Sequence, residues 1–188
     1  MTGFRVVESA TRHVASFLEV ADVEVAGDDG TTFSRAVVRH PGAVVVVPVT
    51  DDGSHALLVR QFRAATGGTL LEVPAGKRDV HGEAPESTAA RELEEEIGYR
   101  PGRLVALCEF YNSPGFCDEY THLYCALDLE PLDGPRGVTA EEAAMTIEAV
   151  PFDAVDRLVA ERAIVDAKTI IGLLLAGRFV ADGGLEAT

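Results

Sequence analysis

The segment from Glu86 to Gly98, ESTAARELEEEIG, constrains this chain most, because its apolar and its acidic residues both keep helical spacing. Ala89, Ala90, Leu93 and Ile97 recur at helical intervals, which places one apolar stripe on a helix and requires a core for it to face. Glu92, Glu95 and Glu96 stand at i, i+3 and i+4, so their carboxylates project from one face. Like charges at that spacing cost roughly 0.2–0.5 kcal/mol per pair on an exposed helix, and a hard divalent cation with oxygen ligands removes the penalty. Mg²⁺ is the natural ion, with Mn²⁺ as a substitute.

Taken alone, an acidic run of this kind is most often a solvated helical face. Its surroundings argue for more. Upstream lie a Gly-containing polar loop from Gly76 to Pro85, a further acid at Glu83, and Arg91, whose guanidinium can brace a carboxylate through two hydrogen bonds. Glu94 points away from this group and serves as a solvated control. Gly98 closes the helix as a C-cap.

Charge bears on what the acids can serve. With 31 acidic residues against 16 basic ones and a formal charge of −15, a broad phosphate-tracking surface for nucleic acid is not expected. A small anionic substrate needs metal ions or a local cluster of arginines. Cys108, Cys117 and Cys125 lack CxxC spacing and are odd in number, so they read as reduced and mostly buried. No basic segment followed by an apolar core opens the chain, and no run approaches the roughly 18 apolar residues of a membrane span. A soluble, cytoplasmic protein without membrane contact is expected.

Residues 1–40 contain β-rich runs around GDDG, a plausible hairpin turn, and read as a small antiparallel unit. Residues 41–188 read as the main domain, with strands at Ala43 to Val49, HALLVRQFR, GGTLLEVPAG, RLVALCEFYN, EYTHLYCALDLEP and MTIEAVPF. Two helices follow, around Phe152 to Glu161 and Val165 to Ala176. Strands, helix, strands, helices argues for α+β or α/β/α layering, not a parallel doubly wound sheet.

The residues of the acidic helix resemble the Nudix box, G-x5-E-x7-R-E-U-x-E-E-x-G-U, where U is a bulky apolar residue. Glu83, seven intervening residues, and Arg91 to Tyr99 fall in register. Two departures stand out: Gly76 is one residue too far from Glu83, and Tyr99 replaces the usual aliphatic residue. The insertion lies in the loop, where length is tolerated. The resemblance implies an α+β fold, an α/β/α sandwich with a mixed sheet, and a metal-dependent pyrophosphohydrolase in which Glu92 and Glu96 bind metal directly. Glu95 binds a further metal or supports the water network, the Ala75 carbonyl is another ligand, and Arg91 braces the set.

Pro114, sixteen residues after Gly98, resembles the marker of the ADP-ribose pyrophosphatase branch, and VRQFRAA…LLEVPAGK and HPGAVVVVP resemble segments of the same branch. The resemblance implies that Arg63 reaches the substrate phosphates, with Arg39 a weaker substrate contact. Glu72 supports metal or substrate, or is a surface acid at a strand end; for Arg63 the plain alternative is a surface salt bridge. Glu141 and Glu142 fall where the branch carries a mobile acidic segment that supplies the catalytic base, and the choice between them stays open. Phe4, Phe17 and Phe33 can stack on a base or serve a core. The implied activity is hydrolysis of ADP-ribose to AMP and ribose 5-phosphate by a homodimer whose N-terminal strands reach the partner's site. Another nucleoside diphosphate sugar such as GDP-mannose, a dinucleotide, or a non-catalytic nucleotide sensor are the rival readings.

Overall fold

Every residue of AVVVVP, Ala43 to Pro48, is buried, so this β-branched run is a strand covered on both faces. The computed structural model describes residues 3–134, 139 and 143–186; Glu141 and Glu142 lie outside the described residues. The strands are β1 Phe4–Ala15, β2 Leu18–Gly27, β3 Thr32–Arg39, β4 Ala43–Pro48, β5 His55–Arg63, β6 Gly68–Glu72, β7 Ala75–Lys77, β8 Tyr99–Tyr111, β9 Tyr120–Pro131 and β10 Thr146–Pro151. The helices are α1 Pro85–Ile97, α2 Val155–Ala160, preceded by a 3₁₀ turn at Phe152–Ala154, and α3 Ala167–Ala181. The chain forms two compact units, the residues through Ala43 with Phe110–Thr121, and Val44–Glu109 with His122 onward.

In the larger unit the strand orders are β7-β4-β9-β8 and β10-β5-β6, and β5 runs antiparallel to both of its neighbours. Side-chain alternation divides β4 and β9 between two layers. Val44, Val46, Tyr124 and Ala126 pack with Ala89, Leu93 and Ile97 of α1. On the other side Gly172 of α3 lies so close to Val47 and Leu123 that an added Cβ would sit 2.9 and 3.3 Å from their methyl groups. The result is the mixed α+β arrangement of helix, sheet and helix.

In the smaller unit β2 pairs antiparallel with β1 and with β3. The GDDG turn stands between β2 and β3. Strand β1 has no hydrophobic alternation to announce it, because almost every residue in it is exposed. Phe110–Thr121 belongs here through bonds to β3: Val38 N donates to Phe116 O at 2.7 Å and Asp118 N to Val38 O at 3.1 Å.

Three expectations need correction. Residues Gly76 to Pro85 are not wholly loop, since Ala75–Lys77 forms β7 beside β4; pairing so distant in sequence leaves no local signature. The cysteines are all free, but only Cys125 is buried, while Cys108 and Cys117 are half-buried. Glu72 is no surface acid, at 1% exposure.

Leu93 is fully buried between α1 and the sheet. Leu93→Ala should lower the unfolding free energy by about 2–5 kcal/mol, whereas Leu174→Ala, at a half-exposed position of α3, should cost less than about 0.5 kcal/mol. Urea titration of both variants checks the contrast, and equal losses would refute this packing.

Candidate active site

Helix α1 starts at Pro85, whose missing N–H costs nothing at a helix start, and Thr88 then closes the first turn onto the preceding loop. Its hydroxyl donates to Glu83 Oε2 at 2.8 Å. Gly98 ends the helix in the left-handed region, φ 73°, with its N–H on Glu94 O, a conformation that favours glycine. The helix is thereby fixed at both ends, and its acidic face is fixed with it.

That face meets β7. The Ala75 N–H donates to Glu96 Oε2 at 3.1 Å, and Glu96 is only 7% exposed. A Cβ on Gly76 would overlap the Glu92 carboxyl group. Only a glycine lets the strand backbone lie against that carboxylate.

Arg91 gathers the remaining acids. Its Nη1 donates to Glu92 Oε1 at 2.8 Å and to Glu95 Oε2 at 3.3 Å, while Nη2 donates to Glu83 Oε2 at 3.3 Å. Glu83 is held below the ordinary carboxylate value by Arg91 and then by Thr88. Burial pushes Glu92 above its ordinary value, and Glu95 and Asp79 add to the rise while Arg91 opposes it. Glu94 turns outward to Arg100, 2.8 Å away, as expected of the control position.

Among the described residues, no three or more Asp, Glu, His or Cys side chains stand in an arrangement that would hold a metal ion; the carboxylates of Glu83, Glu92 and Glu95 close on Arg91. The donor chemistry nonetheless fits a hard divalent cation: the carboxylates of Glu83, Glu92 and Glu95 share a single guanidinium, so oxygen donors outnumber the positive charge beside them. Glu92, Glu95, Glu96 and the Ala75 carbonyl are the oxygen donors available.

Arg63 lies at the end of β5, half-buried, and donates from Nε and Nη2 to both Glu72 oxygens at 2.8 Å. Lys168 Nζ also bonds Glu72 Oε2. Burial alone would raise Glu72, but Arg63 and Lys168 together hold it below the ordinary carboxylate value. Lys168 escaped the sequence reading; DAKT at residues 166–169 carries the signature of a helix start, not of a site. An open cleft of about 680 Å³, lined by Arg60, Phe62, Thr69 and Thr146 among others, includes none of these acids, so cavity size does not mark the acidic site.

Two further expected site residues belong to the smaller unit. Arg39 Nη1 donates to Asp118 Oδ2 at 2.9 Å, and the other Asp118 oxygen accepts from His40 N at 2.8 Å. Pro114 is exposed in the turn that Ser113 closes by accepting from Cys117 N at 2.9 Å. Phe4 and Phe33 meet edge to face at 5.5 Å, as Phe17 does with His40 at 5.4 Å.

Comparison with known proteins places this arrangement among relatives. Residues 39–171 match the model of the NUDIX domain. An ADP-ribose pyrophosphatase of Bacillus subtilis (strain 168) is 44% identical over 152 residues, 81% of this chain and 80% of the relative. A methanol dehydrogenase activator of Bacillus methanolicus is 40% identical over 156 residues, 83% of this chain and 82% of the relative. A solved ADP compounds hydrolase superimposes with a TM-score of 0.83 at 23% identity, covering 97% of this chain and 96% of that one, which speaks for the fold. The braced acidic helix, the strand backbone laid against it and a domain match over most of the chain agree: this protein belongs to the Nudix family.

Proposed function

We propose that this protein hydrolyses ADP-ribose to AMP and ribose 5-phosphate. The observation that carries the reading is the acidic face of α1 pressed against the β7 backbone at Gly76, within a chain 44% identical to an ADP-ribose pyrophosphatase. In this reading the Ala75 carbonyl, Glu92, Glu95 and Glu96 hold divalent metal, Mg²⁺ first and Mn²⁺ as substitute. A metal held there would supply neutralisation of the charge growing on the pyrophosphate and a lowered pKa for an attacking water.

The chain's own residues set the geometry. Arg91 keeps Glu83, Glu92 and Glu95 from splaying apart. Arg63 orients the substrate phosphates, supported by Glu72, and Arg39 and Pro114 contribute to substrate binding. Glu141 or Glu142 accepts the proton of the water as its oxygen bonds to phosphorus and the bridging P–O bond breaks, the leaving phosphate taking the electron pair.

The protein acts as a homodimer through β1. This outer strand of its sheet exposes Phe4, Val6, Val7 and Val14, between 50% and 64% each, apolar surface suited to a second copy of the chain.

Turnover of ADP-ribose should require Mg²⁺, vanish with chelator and exceed that of GDP-mannose and dinucleotides, as product separation by chromatography would show. Equal rates across the panel would defeat the substrate assignment, and no turnover with Mg²⁺-raised thermal stability would favour a nucleotide sensor. Glu96→Gln should lose roughly 10²–10³-fold in kcat while staying folded, and Gly76→Ala should lose roughly 10²-fold by displacing Glu92; Glu94→Gln should keep near-normal rates. Sedimentation should give a dimer that Val6→Lys with Val14→Lys converts to monomer. A monomeric parent, or an unaltered dimer in the variant, would rule out β1 as the interface.

A further inference from the structure

Lys168 belongs to a chain of alternating charge that starts at α3 and ends on Arg63. Asp166 caps the helix: its Oδ2 accepts from the Thr169 N–H at 2.9 Å and from the Thr169 hydroxyl at 2.6 Å, and its Oδ1 pairs with Lys168 Nζ at 2.9 Å. The Thr169 hydroxyl oxygen accepts from the Val73 N–H at 3.0 Å. The first turn of α3 is thereby stapled to the end of β6. From that anchorage Lys168, 16% exposed, reaches Glu72, which is 1% exposed and already chelated by Arg63.

A buried carboxylate with one cation would bind that cation as a neutral pair and consume its charge. Arg63, Glu72, Lys168 and Asp166 together carry no net charge, but Asp166 stands at the far end of the chain, paired with Lys168 and with its other oxygen occupied by the helix cap. The carboxylate in contact with Arg63 is therefore that of Glu72, which Lys168 shares. Arg63 faces Glu72 with Nε and Nη2, which leaves Nη1 on the edge turned away from the carboxylate. A guanidinium held along one edge by a carboxylate is pre-oriented to offer its remaining donors to a phosphate oxygen.

We infer that Lys168 is a positioning residue for substrate: by sharing the Glu72 carboxylate it holds that carboxylate in place and offsets part of its charge, and so keeps the Arg63 guanidinium fixed in direction to bind the pyrophosphate. Nothing in this role touches the reacting atoms. The inference rests on the reading that Arg63 contacts the substrate phosphates.

Steady-state kinetics with ADP-ribose and Mg²⁺ test it. Lys168→Met should raise KM roughly 10-fold with kcat within about threefold, the split expected when ground-state and transition-state binding fall together. Lys168→Arg should recover most of the loss, a rescue that simple packing would not give. Arg63→Ala should raise KM at least as much, and adding Lys168→Met to it should raise KM no further, because both act through one contact. Additive effects, or an unchanged KM in Lys168→Met alone, overturn the positioning role while leaving that of Arg63 intact. An unchanged KM in Arg63→Ala overturns the reading of Arg63 itself and this inference with it. Thermal melts accompany each variant; if Lys168→Met melts below the assay temperature, Lys168→Gln against Lys168→Arg makes the same comparison.

Discussion

The rest of the larger unit depends on one close approach, that of the β7 main chain to the carboxylates of α1. Glu92 lies where a side chain on Gly76 would be, and Glu96 takes the N–H of Ala75. A helix carrying three acids on one face can come this near a strand only if its other face is held firmly, and Ala89, Leu93 and Ile97 supply that hold against β4 and β9. Hydrophobic packing therefore keeps in place a charge arrangement that would otherwise relax outward. Burial in turn holds the Glu92 carboxyl above its ordinary value.

A second concentration of charge sits at the junction of β5, β6 and α3. Glu72 is buried between Arg63 and Lys168, which together compensate a carboxylate that would be strongly destabilising if left with no cation. The cap at Asp166 and the Thr169 bond to Val73 make this junction stiff. Helix α3 is thus both the outer layer of the sandwich and the support for the residue assigned to the substrate phosphates.

Much of this could be read from the chain because its signals are local. Helical spacing of Ala89, Leu93 and Ile97 against Glu92, Glu95 and Glu96 marked both faces of α1, and Gly98 marked its end. Strand β5 was legible to the residue, His55 to Arg63, because its apolar run is bounded by a turn at DDGS. What escaped was set by distant partners. Strand β7 is three residues long and exists only through its neighbour β4. Strand β1 shows no alternation because no core covers either of its faces. The burial of Glu72 depends on Lys168, 96 positions away, and no pattern around LLEVP betrays it. Glu141 and Glu142, which resemblance alone brought forward, lie outside the described residues.

Strand β1 carries one more consequence. A twelve-residue strand at the margin of a sheet offers a row of unpaired backbone groups, the usual template for uncontrolled sheet growth. This one is interrupted twice, with register shifts between Val6 and Glu8 and between Thr11 and His13. Each bulge bends and twists the strand, so a flat, regular neighbour cannot follow its whole length. The irregularity works as a lock on admission: the margin stays closed to a chance strand from an unfolded chain and open only to a surface shaped to its bends.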